Sequence, residues 1–319
     1  MKISKIAASI GMITLVILYI YYQPNSKIRK SNSNIAFASV LPINPTEELE
    51  TTPPQRVHPI RISGDVFFAD IKIPLNDQDV RERFDRELMV NTFWHSNTML
   101  NFKLSNKYFQ EIDKILLEEE VPLDFRYLAV AESGLRNVKS PAGAAGIWQF
   151  MKATGKSYNL IINDEIDERY NLEKATRAAC KYLKEAKIKF GSWALAAASY
   201  NMGIPKLQRR LDEQLVDNYF DLYLNTETAR YMYRILAYKM VFENPYQFGL
   251  FIDQEDLYEP LEYEIMNMGG SIEDLAQFAK DHNTTYKMLK VANPWLRGKS
   301  LTIKEGEVFV LRIPKNYID

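Results

Sequence analysis

Cysteine is almost missing from this chain, and its scarcity excludes whole classes of chemistry. Cys180 is the only one in 319 residues, so neither an intrachain disulfide nor a cysteine-built zinc site is available. Ala178, Ala179 and Leu183 flank it at helical spacing, which predicts a small buried hydrophobe. Histidine is scarce as well. His58, His95 and His282 are scattered without ligand spacing, so no metal and no other cofactor is expected. A charge surplus is also lacking: 40 basic residues face 41 acidic ones, which argues against a nucleic-acid partner. No long-period repeat runs through the chain. The glycines at Gly143 and Gly146 precede no Gly-Lys-Ser/Thr, so they form no phosphate cradle.

One long apolar run is present, from Ile6 to Tyr22, preceded by Lys2 and Lys5. A charged start before an apolar run reads as an export signal or membrane anchor over residues 1–24. Seventeen residues are long for a cleaved signal and just enough to span a bilayer, which favours an uncleaved anchor. Ala36-Phe37-Ala38 has the form of a cleavage site but lies well past the run. No cysteine follows, which excludes a lipoprotein. The chain is thus expected in a bacterial cell envelope, on the periplasmic side. Residues 25–75 are rich in Asn, Ser, Pro and Thr and read as a linker, with one short extended piece at Val66-Phe67-Phe68.

From Val80 onward the pattern becomes amphipathic helix. Val80, Phe84 and Leu88 begin one stripe; Phe109, Ile112, Ile115 and Leu116 form another, closed by the acidic run Glu118-Glu119-Glu120 at a solvated end. Helices follow over Leu172 to Lys189, Trp193 to Met202 and Glu227 to Phe242, the last stopped by Asn244-Pro245. Residues 76–255 are therefore expected to form one all-helical domain. Past Phe251 the period shortens. Leu261, Tyr263 and Ile265 alternate with acids, Ser271-Ile272-Glu273-Asp274 has the form of a capping box, Thr285 caps a second helix, and Val308 to Ile313 is a second strand. Residues 256–319 thus read as a small βααβ module, and the fold class is mainly α.

The chemistry concentrates between Ala131 and Met151. Phe125, Leu128, Ala129 and Glu132 fall at i, i+3, i+4 and i+7, so an acid shares the buried face of a helix. Burial raises a carboxyl pKa, which suits a general acid working near neutral pH. The run Ser140-Pro141-Ala142-Gly143-Ala144-Ala145-Gly146 lets backbone approach a ligand, and Trp148, Gln149, Phe150 and Met151 add aromatic and amide surface. Together these features suggest a carbohydrate cleft.

Glu132-Ser133, then Ser140-Pro141-x-Gly143-x-x-Gly146-x-x-Gln149-x-Met151, resembles the catalytic motif of the family 1 lytic transglycosylases, the SLT-domain family. Trp148-Gln149-Phe150-Met151 resembles its membrane-bound D branch. Asp167-Glu168-Arg169, Ser199-Tyr200-Asn201-Met202-Gly203 and Glu227-Thr228-Ala229-Arg230-Tyr231 agree with it in order and spacing. The interval from Glu132 to Ser140 is one residue shorter than the family's. The C-terminal module resembles a LysM domain, with Gly269-Gly270-Ser271 lacking that family's aspartate.

The resemblance implies a lysozyme-like helical fold that cuts the bond between N-acetylmuramic acid and N-acetylglucosamine in peptidoglycan glycan strands. It implies Glu132 as the sole acid and base, with Ser133, Ser140, Gln149, Met151, Tyr200, Asn201 and Tyr231 around the substrate. Gln149 and Asn201 are expected to offer amides to sugar groups, and Tyr200 and Tyr231 to orient Glu132 or a sugar. Trp148 and Phe150 fit either sugar stacking or core packing. A lysozyme-type hydrolase of the same fold would need a second acid to activate water. Asp164, Glu165, Asp167 and Glu168 are the candidates, and a helix start beside Arg169 reads more simply as caps and ion pairs. A catalytically dead glycan-binding scaffold is the rival from another class.

Overall fold

Helix starts in this chain are set by short polar side chains, each accepting a bond from the exposed first turn. The computed structural model describes residues 58–315. Asp77 accepts from the Val80 N–H at 3.0 Å and opens α1, Gln78–Phe93. After a break at Trp94 comes α2, His95–Glu118, then the short α3, Arg126–Ser133, and α4, Lys152–Ser157. Asn171 caps α5, Leu172–Phe190; Ser192 caps α6, Trp193–Met202; α7 spans Ile204–Gln214; and Asn225 caps α8, Thr226–Glu243. The expected helices are present, and the mainly α class holds.

The short α3 lies at the centre. Its Tyr127, Leu128, Ala129 and Val130 are buried, and α8 packs against both it and α1. A helix of eight residues is too short to hold itself together, so its order comes from this surrounding apolar wall. It ends at Gly134 with φ 59°, where an added Cβ would sit 2.4 Å from Asn101 Oδ1. Only glycine fits that turn.

The end of the expected linker behaves differently from its composition. Phe67–Phe68 (β1) pairs antiparallel with Ile71–Lys72 (β2), and Val66, Phe68 and Ile73 are buried in the helical core. The Ala69 N–H donates to Asp124 at 2.6 Å, and Lys239 holds the same carboxylate at 2.7 Å. Residues 66–75 are therefore part of the domain, because their alternate apolar side chains find a core to enter. Residues 1–57, with the apolar N-terminal run and the rest of the linker, lie outside the described residues. Among the described residues no helix is long and apolar enough to cross a membrane.

The C-terminal module is built as expected, with one shift. Tyr263–Met268 (β3) pairs antiparallel with Phe309–Pro314 (β4), in register from Tyr263↔Pro314 to Met268↔Phe309. Between them lie α9, Leu275–Asp281, and α10, Tyr286–Ala292, the latter capped by Thr285. The cap of α9 is Asp274, not Ser271; the Ser271 hydroxyl instead donates to the Ile303 carbonyl and accepts from its N–H. The module is not a free tail. Ala145, Ile166 and Tyr170 of the helical domain share one buried cluster with Leu275, Leu289, Leu296 and Leu311. The Glu165 carboxylate accepts from Ser300 Oγ at 2.5 Å and the Thr302 N–H at 2.9 Å, and the Asp167 N–H donates to the Trp295 carbonyl at 2.8 Å.

Candidate active site

Phe125, Leu128 and Ala129 are wholly buried, and Glu132 follows them half-buried at the end of α3. The Tyr231 hydroxyl, on buried α8, donates to Glu132 Oε1. Burial pushes the Glu132 carboxyl up to about 7, against the opposing pull of the Tyr231 bond and the Arg234 charge. Tyr200 also lies close enough to feel the Glu132 charge, and burial holds both phenols well above the usual tyrosine range. A carboxyl so placed keeps its proton in about half of the molecules at neutral pH, where an ordinary carboxyl has lost it, and is able to donate it.

The segment after Glu132 is pinned to its helix. The buried Ser133 hydroxyl donates to the Ile147 carbonyl at 2.8 Å and reaches the Ala129 carbonyl at 3.3 Å. Ser140 Oγ accepts from the Ala144 N–H at 3.0 Å and closes a turn. Gly146 has φ 80°, and a Cβ there would meet the Arg169 carbonyl at 1.8 Å, so the loop requires glycine at this point. Arg169, gripped by both oxygens of Asp167, donates to the carbonyls of Gly143 at 2.9 Å and Phe150 at 3.1 Å. The small-residue loop is rigid because its backbone oxygens are taken up this way.

Several expected ligand contacts have other partners. The Gln149 NH₂ group donates to the carbonyls of Gly146 at 2.7 Å and Val138 at 3.1 Å, which leaves only its carbonyl oxygen for a sugar. Trp148 is wholly buried with its ring N–H on Thr176 Oγ1 at 2.8 Å, and Phe150 is buried as well, so both are core rather than stacking platforms. Tyr200 donates to the Trp148 carbonyl at 2.8 Å, and Asn201 Oδ1 accepts from Thr228 Oγ1 at 2.8 Å. Met151 is exposed on the loop's far end. Asp167 and Glu168 are structural: the first pairs with Arg169, and the second accepts from the Ile161 N–H at 2.7 Å and pairs with Lys174. Cys180 is buried, its thiol pushed up to about 12 by burial, and is inert packing.

Glu132 opens into a hollow of about 600 Å³. Of the expected site residues, Glu132 and Ser133 line it; Arg230, inside the Glu227–Tyr231 motif but given no role there, joins Glu87, Trp94, Arg136 and Arg234 in the rest of its wall. Glu87 is 1% exposed, yet it meets Arg86 at 2.6 Å, Arg230 at 2.5 Å and Arg234 at 3.4 Å. Three guanidinium groups offset the cost of burying that charge. The signal was present in the sequence: Glu87 adjoins Leu88 on the buried stripe of α1, and Arg230 and Arg234 stand one turn apart on α8. Trp94, 58% exposed at the break between α1 and α2, offers the cleft an aromatic face. Among the described residues no group of three or more His, Cys, Asp or Glu is arranged to hold a metal.

Two protein-family models match the chain: the transglycosylase SLT domain over residues 112–219 and the soluble lytic transglycosylase C-terminal LysM-like domain over residues 265–317. Membrane-bound lytic murein transglycosylase D of Escherichia coli K12 is 25% identical over 253 residues, which cover 77% of this chain and 54% of that relative. Its counterpart in Escherichia coli O6:H1 matches to the same extent. The chain thus spans about half the length of the curated relatives it matches. Among solved structures, the 70 kDa soluble lytic transglycosylase of Escherichia coli is similar over 57% of this chain and 33% of its own, at 17% identity and a TM-score of 0.39. An inactive mutant of the lytic transglycosylase Slt from Pseudomonas aeruginosa gives 14% identity and 0.35 over 56% of this chain and 35% of its own. The chain carries a transglycosylase SLT domain followed by a LysM-like domain of the soluble lytic transglycosylase type, and it is homologous to membrane-bound lytic murein transglycosylase D.

Proposed function

We propose that this chain is a peptidoglycan lytic transglycosylase that cleaves the β-1,4 bond from N-acetylmuramic acid to N-acetylglucosamine, with Glu132 as its single acid and base. Protonated Glu132 gives its proton to the glycosidic oxygen as the bond to the muramic C1 breaks. The substrate's own N-acetyl oxygen stabilises the cationic carbon. Glu132, now ionised, takes the proton from the muramic C6 hydroxyl, whose oxygen closes on C1. The product is a 1,6-anhydro sugar, and no water enters. Tyr231 holds the carboxylate between the two proton transfers.

The observation that carries this reading is the pairing state of the cleft's acids. Glu132 has a hydroxyl partner and a raised pKa, while the other acid lining the same hollow, Glu87, is tied to three arginines. Among the described residues that line the hollow no further carboxylate is left to activate water, as an inverting hydrolase needs; Glu227, whose charge also raises the Glu132 pKa, is exposed and lies outside that lining. Ser133, Ser140 and Gln149 shape the loop beside the reacting sugar, Met151 and Asn201 border it, and Tyr200 steadies the loop through Trp148. The LysM-like module contributes glycan contact as a fixed wall of the enzyme, and the N-terminal apolar run holds the whole in the cell envelope. Mass spectrometry of products from purified sacculi tests the reaction. The expected products are anhydromuropeptides, one water lighter than hydrolysis products. Reducing-end muropeptides alone would overturn it.

A further inference from the structure

A second cavity among the described residues is larger than the Glu132 hollow. It lies at the seam between the helical domain and the C-terminal module and holds about 790 Å³, a size suited to a ligand of several residues. Its wall draws on both sides: Tyr108, Glu111 and Tyr170 from the helical domain, Tyr263, Trp295 and Arg312 from the module. Asn137 and Ile147 also reach it, and both belong to the segment that continues from Glu132. Since the Ile147 carbonyl holds Ser133, the cavity borders the back of the loop that shapes the active site.

Its charge is one-sided. Lys107, Lys287, Lys290, Arg297 and Arg312 line it against a single acid, Glu111, although the whole chain is nearly neutral. These cations differ in what they are free to do. Arg312 is held by Glu111 at 2.5 Å, and Lys290 donates to the carbonyls of Leu296 at 2.7 Å and Gly298 at 2.5 Å, so both are wall. Arg297 lies over the Tyr170 ring at 4.6 Å, which fixes its plane, and only its Nη1 reaches a carbonyl, that of Pro294. Lys107 Nζ lies over the Tyr108 ring at 5.7 Å, while Lys287, also in the wall, has no ion pair or side-chain hydrogen bond among the described residues. The neighbouring hollow of about 590 Å³ is more evenly balanced, five cations against Glu111, Glu173 and Glu262, so the cationic surplus is larger at the seam. An oriented guanidinium and one uncommitted ammonium group beside aromatic walls fit a carboxylate-bearing, partly apolar ligand.

We propose that the seam cavity binds the peptide stem of peptidoglycan, with Arg297 and Lys287 receiving its carboxylates. This rests on the proposed substrate, in which each muramic sugar carries such a stem. The site gives the docked module a task that a free tail has no means to perform: together with the back of the loop after Glu132 it walls the cavity that takes the stem.

The test uses the full chain and a soluble stem tetrapeptide in titration calorimetry. Binding to the natural chain and to Glu132→Gln is expected alike, weakened at least tenfold in the double variant K287E/R297E and retained in the charge-conserving K287R/R297K. No binding to the natural chain, or equal binding to K287E/R297E, overturns the proposal. A second measurement compares turnover of intact glycan strands with strands stripped of peptide by an amidase. The natural chain is expected to favour intact strands several-fold through KM, and the double variant to lose that preference. A preference that survives K287E/R297E contradicts the proposal. If neither strand is cut by the natural chain, the reaction assigned to Glu132 fails, while the peptide titration still decides the seam.

Discussion

Two glutamates share one cleft, and their surroundings make them opposites. Glu87 is almost wholly buried and meets three guanidinium groups; Glu132 is half-buried and meets one phenolic hydroxyl, with Arg234 acting on it only at longer range. Counter-charge makes the first a structural tie between α1 and α8. Desolvation that outweighs a single hydrogen bond raises the second to about 7 and makes it a proton donor. The same side chain is thus mortar in one place and reagent a few residues' breadth away. What distinguishes them is the partner, since both line the same hollow.

The comparison is open to direct attack. Replacing the reagent, Glu132→Gln, is expected to lower the rate of sacculus solubilisation by about 10²–10⁴-fold with the fold intact, as loss of a general acid does. Turbidity clearance with circular dichroism on the same sample checks it. Replacing the tie, Glu87→Ala, strands Arg230 and Arg234 against each other and is expected to destabilise by about 3 kcal/mol, read from denaturant unfolding. Activity lost there without loss of stability would mean that Glu87 takes part in the chemistry. The smallest effect concerns pH. Glu132 titrates at about 7 when folded against 4.5 as its ordinary value, so between those limits the native chain keeps a proton that the unfolded chain has released. Its contribution to stability is full below about pH 4.5 and is lost as pH rises through about 7. Glu132→Gln should therefore gain stability relative to the natural chain from pH 5 to pH 8. Urea midpoints at the two pH values check this, and an unchanged difference contradicts it.

Most of the framework was legible in the sequence because it depends on local rules. Apolar stripes located the helices, polar caps located their starts, and the position of Glu132 after Phe125, Leu128 and Ala129 placed the acid. What escaped was set by distant contact. The Val66–Ile73 segment reads as linker until Phe68 finds the core. Ser271 resembles a cap until Ile303 engages its hydroxyl. Trp148 and Phe150 were equally fit for sugar or core, and only Thr176 and the surrounding helices decide for core. Glu87 carries no motif; its role exists only because α1 and α8 lie side by side.

The sharpest test of Glu132 as the working acid is the pH dependence of kcat/KM in the natural chain and in Tyr231→Phe. The Tyr231 hydroxyl bonds the ionised carboxylate and so lowers the Glu132 pKa; its removal raises it. The natural chain should lose activity as pH climbs through about 7. In Tyr231→Phe that falling limb should move to higher pH, with a lower plateau. A profile flat across neutrality, or a limb that stays in place without the hydroxyl, would contradict the assignment.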